Sequence, residues 1–522
     1  MANRPSRLAV SIPTASPDGR FYGRYPHGNA PSGVFSGGAA ASAAAAGALS
    51  TGIKLAGAPA VSSAATAALT ASGSFTTLQS SDLTYLGAFG VPQSGVSPAI
   101  SSGLTYNPAG HSGAGSLFAS GGGFLYEITI PSGLSPTYSD INSLPVCTVL
   151  QSDESNYYAG ATLTANSDGD NSFGHVAYVS ARGGWPAYLY WSIYQYYNVN
   201  GVDYDSVGIG SLNLSSPAIT GAWHVGPPAS TVDPGSPFQA WSHGQKHGSY
   251  FVIADQTWAD TFTGGRSVLC GRIREAGADG GSQGPVLTAI APWQDSSGSI
   301  PAAGANLGAT PLMYFDCQQG SPLNGWQSWR CYNDPLWTYF SAKDIVHGGV
   351  WIQGASKRAL VLAANHSCFS NNPTQPKYQT DGSLNPTGPD GSHGGFIDDP
   401  STAPFCYGVG GTECATPIAN TNDKGYHCGP YVPRLWFVDI AHLEAVATGS
   451  ANALDTGSAY ESFDVSTTWP LGLLDTDNQN DVPGIAWDAA GKRLFVVQAN
   501  AQRPGGGHNQ PYPVVHVYSV DV

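Results

Sequence analysis

Apolar positions in the C-terminal stretch 483–522 fall into three short runs. PGIAWD (483–488) leads into a turn carrying Asp488 and Gly491, then come RLFVVQAN (493–500), a Gly/Pro-rich loop and VVHVYSVDV (514–522). Runs rich in β-branched and aromatic residues, bounded by Gly, Pro and Asp, predict strands joined by turns. The same order recurs upstream. One unit reads GLTYNP (103–108), SLFASGG (116–122), FLYEITIP (124–131) and PVCTVLQ (145–151). A second reads 158–169, 175–182, 187–196 and 221–226, and a third 238–244, 249–256, 266–275 and 285–293. A fourth reads 348–358, 358–365, 434–443 and 462–470.

Repeated four-stranded units of this kind predict a β-propeller, a ring of small sheets about a central axis. The C-terminal unit lacks a fourth strand, and LTYLGAFGVP (83–92) is a strand with no partners before it. Pairing the two closes the ring and removes its exposed sheet edges. The expected fold is therefore all-β: a five-bladed β-propeller over 76–522, closed by strand 83–92, with long insertions at 294–347 and 366–433. An N-terminal arm, 1–75, precedes it. With the strands of a blade named A to D from the axis outward, B–C and D–A connections share one rim, and A–B and C–D turns share the other. In this reading 256–265, 294–347, 366–433, 471–482 and 501–513 all fall on the B–C/D–A rim. Connections beyond about 12–15 residues inside a compact domain are usually functional or disordered, so this rim is where a site is expected.

Composition supports many short strands over long helices. Charged residues make up 11%, with 67 Gly and 38 Pro, while 13 Trp and 26 Tyr supply a large core. A formal charge of −15 argues against a nucleic-acid partner held through its phosphates. No run approaches the ~20 apolar residues of a membrane helix, so no membrane insertion is expected. The opening MANRPSRLAVSIPTAS lacks the basic-then-apolar design of a signal peptide.

Residues 36–74 are nearly all Ala, Gly, Ser and Thr, with too little bulk to bury a core alone. Small side chains let chains approach closely, which suits an arm ordered by neighbouring subunits in a homo-oligomer. GIKLAGAPAVSSAATAALTASG (52–73) resembles the Ala/Thr/Ser-rich segments near the N-termini of bacteriophage virion proteins, where such segments tether a distal domain to the particle. The blade strands also resemble those of uncharacterised bacterial propeller proteins. The resemblance implies a location in the virion, other virion proteins as partners of 1–75, and a projecting propeller. The propeller would then meet a host-surface glycan or a neighbouring virion protein.

The candidate chemistry on the loop-rich rim suits carbohydrate. Trp258, Trp326, Trp329, Tyr332 and Trp337 offer flat faces to sugar rings, and Asp255, Asp260, Asn333, Asp334, Asn365 and Asn500 offer hydrogen bonds to hydroxyls; His366 shares the rim with His393, His427 and His508, whose ring nitrogens are also of a type that binds metal. Indoles in Gly-rich loops serve equally as anchors pinning a loop to the blades. Asp475, Asp477 and Asp481 alternate oxygen donors as calcium loops do, but without the central Gly and final Glu of an EF-hand; polar turn chemistry is the simpler reading, and no cofactor is expected. Cys317, Cys331, Cys368, Cys406, Cys414 and Cys428 are disulfide candidates with 15 possible pairings, whereas Cys147 and Cys270 read as small core residues. The chain has six Glu, and only Glu154, with Asp255 as partner, is placed for glycoside hydrolysis. No nucleophile or metalloprotease motif occurs, so an enzyme is not expected. The remaining readings are a capsid decoration or tail-structural protein without a glycan ligand, and a glycan hydrolase using Glu154 and Asp255.

Overall fold

A computed structural model describes residues 75–92, 100, 103–121, 124–138, 140–153, 157–159, 161, 171–195, 205–228, 248–271, 287–291, 300–313, 345–366, 432–451, 460–470, 473, 481–499, 501 and 513–522. These all belong to one compact unit, residues 58–506 with 512–522.

Five sheets form a ring, a five-bladed β-propeller. Blade 1 comprises Gly103–Asn107, Ser116–Gly121, Phe124–Thr129 and Val149–Asp153. Blade 2 comprises Asn171–Val179, Tyr188–Gln195, Val207–Gly210 and Ile219–Val225, with Asn306–Leu307 added in parallel at its outer edge. Blade 3 is Tyr250–Ile253, Val268–Gly271, Leu287–Ile290 and Ala309–Met313. Blade 4 is Ile345–Gln353, Lys357–His366, Val432–Val438 and Tyr460–Asp464. Blade 5 is Ile485–Asp488, Arg493–Gln498 and Val514–Val520, with Leu83–Gly90 from the other end of the chain as its outer strand. The first strand of each blade touches the first strands of both neighbours, so these five surround the axis.

Blades 1, 4 and 5 match the sequence reading; blades 2 and 3 are displaced by one strand. The runs at 175–182 and 187–196 hold strands A and B of blade 2, not B and C, and its C strand is the short Val207–Gly210. The run at 249–256 holds strand A of blade 3, and its D strand, Ala309–Met313, falls inside the expected loop 294–347. Of the two segments expected as A strands, 238–244 lies outside the described residues. At the start of the other, Tyr157–Ala159 form a turn.

The core lies in the seams between blades. On Lys357–His366, Leu360, Leu362 and Ala364 face blade 3, while Ala359, Val361 and Ala363 face blade 5. On Arg493–Gln498, Leu494 and Val496 face blade 4, and Phe495 and Val497 face blade 1. Period-two alternation sends successive side chains to opposite faces, and here both faces are covered. The strands therefore read as continuous apolar runs, as doubly buried strands do.

A buried polar chain runs through the closing blade. Tyr85, on the closing strand, donates its hydroxyl to His516 Nδ1 (3.1 Å), and His516 Nε2–H donates to Gln498 Oε1 (2.9 Å). Gln498 in turn donates to the Leu473 carbonyl (2.7 Å), which fixes its amide and hence the imidazole tautomer. Trp469 stacks on His516 at 4.3 Å and donates its indole N–H to Tyr518 Oη (2.9 Å). Tyr85→Phe leaves Nδ1 without its donor. It is expected to cost about 1–3 kcal/mol in chemical denaturation while the transition stays single, and an unchanged midpoint would contradict the seam's assignment. Deleting residues 514–522 should abolish that cooperative transition altogether, as followed by circular dichroism and Trp fluorescence.

Candidate functional site

The ring has two unlike rims. All five A–B turns are described and most are compact: in 489–492, Asp488 accepts from the Gly491 N–H (2.9 Å) and from Arg493 (2.7 Å). The exception is the A–B connection of blade 3, which carries the helix Gln256–Phe262. The shift in blade 3 therefore moves Asp255, Trp258 and Asp260 to the A–B/C–D rim, opposite to the one expected.

None of the three lies on the rim expected. Asp255 caps the helix, accepting from the Trp258 N–H at 2.9 Å, where a side-chain acceptor satisfies an otherwise unpaired N–H. Trp258 is 1% exposed and packs its ring 4.5 Å from Trp351 and 5.7 Å from Phe262. It is an anchor, and a buried ring offers no face to a sugar. Asp260 pairs with Arg182 of blade 2 at 2.9 Å across the lower surface. Both are about half exposed, so the pair is worth at most about 1 kcal/mol.

Trp326, Trp329, Tyr332, Trp337, Asn500, Asp475, Asp477 and the six loop cysteines lie outside the described residues. His366 ends strand B of blade 4, opposite Val432, on the B–C/D–A rim. Asp481, on that same rim, accepts from Asn365 Nδ2 at 3.0 Å. Cys147 and Cys270 are buried and unpaired, and burial pushes the Cys147 thiol up to about 12, as for an inert core cysteine. Glu154 is outside the described residues, though it follows Asp153 at the B–C/D–A end of blade 1. Its proposed partner Asp255 sits on the other rim. Three further glutamates are engaged structurally: Glu127 by Ser116, Asn107 and Gln151, Glu444 by Arg358, and Glu461 by Ser80. Among the described residues there is no group of three or more His, Cys, Asp or Glu that could hold a metal ion.

The polar cluster that the fold does assemble lies on the axis. His175 projects from strand A of blade 2 and is 2% exposed. A Cβ on Gly103 of blade 1 would stand 2.7 Å from its ring, and one on Gly348 of blade 4 would stand 3.1 Å away. Phe251 of blade 3 meets it edge-on at 6.2 Å. The ring is thus housed between four inner strands, and glycine at 103 and 348 gives it room. Neither ring nitrogen has a hydrogen-bond partner among the described residues. Burial, with His347 next in order, holds its pKa down at about 3.

His347 is better tethered. Its Nε2 lies 3.1 Å from Asn365 Nδ2. Asn365 Oδ1 accepts from the Val482 N–H (2.9 Å), which fixes the amide so that Nδ2 must face the imidazole and Asp481. Nε2 therefore accepts, Nδ1 carries the proton, and burial lowers the pKa to about 4. An amide donating to His347 Nε2 is the opposite of the acceptor that the free nitrogen of a metal-binding histidine usually finds. The signal in sequence was a histidine beside glycine, GHV (174–176) and HGG (347–349), at an inner strand.

No known protein family matches the chain, and no curated protein does. The class is fixed by the fold: a five-bladed β-propeller. No helix among the described residues is long and apolar enough to cross a membrane.

Asn365→Ala strips a buried N–H and the His347 ring of their partner. It should cost about 1–3 kcal/mol, against less than about 1 kcal/mol for Asp260→Ala, in parallel urea titrations. Equal effects would contradict the placement of one inside and one outside.

Proposed function

We propose that this chain is a bacteriophage virion structural protein. Residues 1–75 join it to the particle and to other copies, and the propeller turns its B–C/D–A rim toward a host-surface glycan or a neighbouring virion protein. The observation that carries this reading is the separation of the two rims. The chain enters the ring on the A–B/C–D rim, where Arg358 lies over the Phe75 ring (4.7 Å) and Thr76 N–H donates to the Ser356 carbonyl (2.9 Å). It also ends there: Lys357 joins Asp82 and Asp521, both at 2.8 Å, and Lys492 donates to the Val522 carbonyl (3.0 Å). The longest connections, 314–344 and 367–431, leave from the opposite rim, after strand D of blade 3 and strand B of blade 4. A tether on one face and long, Trp- and Cys-bearing connections on the other suit a domain held at its base.

The hydrolase alternative is weakened by the placement of Asp255, since paired carboxylates need about 5–10 Å separation. A decoration protein without ligand shares the same rim separation, and binding tells the two apart. Full-length protein applied to an array of bacterial surface polysaccharides should bind a subset of glycans. Arg182→Ala and Asp260→Ala, on the tether rim, should leave that binding unchanged. No binding to any glycan would remove the recognition role and leave the decoration reading.

A further inference from the structure

A polar junction beside the axis joins His347 and Asn365 of blade 4 to the start of blade 5. The key group is the Asn365 carboxamide. Its oxygen is committed to the Val482 N–H, and its nitrogen donates to both Asp481 Oδ1 and His347 Nε2. Val482 opens the run into strand A of blade 5, so one side chain ties strand B of blade 4 to the following blade. This holds only while Nε2 is bare. A proton on Nε2 sets an N–H against the amide N–H, and no rotation of the amide repairs it. Flipping Asn365 would turn its NH2 toward the Val482 N–H and its oxygen toward the Asp481 carboxylate.

We infer that acidification opens the hub by protonating His347, which dismantles the Asn365 junction and releases the start of blade 5 from blade 4. His175 sharpens the response. A charge on His347 disfavours one on His175, and the other neighbours of His175 bring no compensating charge: Gly103 and Phe251 from blades 1 and 3, Gly348 from blade 4 and Ser192 from its own blade. Asp481 is the carboxylate linked to the cluster, and it is held by the same amide that protonation displaces.

The pH window follows from the two histidines. The unfolded chain takes up protons near 6.5, whereas the folded hub resists to about 4 at His347 and about 3 at His175. Unfolding, or opening of the hub, therefore binds protons below pH 6.5. The closed state loses ground as pH falls from 6.5 toward 4, roughly tenfold in the equilibrium per pH unit for each histidine. His516 adds a similar term at the closing seam, where burial lowers its pKa to about 3, and it serves as an internal control.

The test compares full-length wild type with His347→Gln, whose side-chain oxygen still accepts from Asn365 but cannot take a proton. Hydrogen exchange of the peptide containing Val482, corrected for intrinsic pH dependence, should be slow at pH 7 and rise at least tenfold by pH 5 in wild type. In the variant the rise should be about tenfold smaller or more, with only the His175 share left, while the peptide containing His516 behaves alike in both. Imidazole NMR titration of the wild type gives an answer that needs no variant: His347 should remain neutral above pH 5 in the folded ring. Equal acid-induced exchange in wild type and His347→Gln, or a His347 titrating near 6.5 with the ring intact, would overturn the inference.

Discussion

Everything in this molecule rests on one antiparallel strand pair. Leu83–Gly90 lies against Val514–Val520 from Leu83 opposite Val520 to Gly90 opposite Val514. Without it blade 5 has three strands and the ring has an open seam. The contact joins residues more than four hundred positions apart, so its loop-closure entropy is high, and a large cooperative gain must offset it. That gain comes from Phe89, Val515 and Val517 entering the seam with blade 1, and from Tyr518 and Val520 entering the seam with blade 4. The Tyr85–His516–Gln498 chain adds direction, because buried donors and acceptors tolerate only one register.

Closure also explains why the molecule has a base and a crown. Strands alternate direction, so a ring closed by its own two ends must place both ends on the same rim. The Lys357 cluster with Asp82 and Asp521 marks that base. Inner strands run from crown to base, and the axial histidines sit between them. His175 and Asn365 are almost wholly buried there, and a buried polar group must be matched by the neighbouring blades. Asn365 meets that need for His347, while His175 is accommodated only sterically, by two glycines.

Much of the fold was legible in sequence because strands buried on both faces leave continuous apolar runs, such as RALVLAAN and RLFVVQAN. Blade number and closure followed from those runs. What failed was indexing in blades 2 and 3. Val207–Gly210, reading VGIG, is four residues long and half glycine, and Ala309–Met313, reading ATPLM, has a proline and a single β-branched residue. Taking 238–244 as strand A of blade 3 makes Tyr250–Ile253 strand B instead of A and reverses the rim assigned to the residues that follow it. That single slip carried Trp258, Asp255 and Asp260 to the wrong rim. Trp258 shows why aromatic content misleads: its helix turns the indole inward against Trp351, and composition carries no such orientation. The hub histidines were overlooked for the converse reason. A lone His among glycines looks inert until the ring brings blades 2 and 4 to the same axis.

Intrachain closure is the central claim, and a covalent probe tests it most directly. Thr84 and Ser519 stand directly opposite each other across the closing pair, at the Cα spacing of about 4.5–5.5 Å for opposed antiparallel residues, which a disulfide can span. A Thr84→Cys/Ser519→Cys protein, oxidised and mapped by peptide mass, should form that bond within single chains and unfold at a higher denaturant midpoint. A pair that stays reduced, or that links one chain to another, would contradict a ring closed by its own ends.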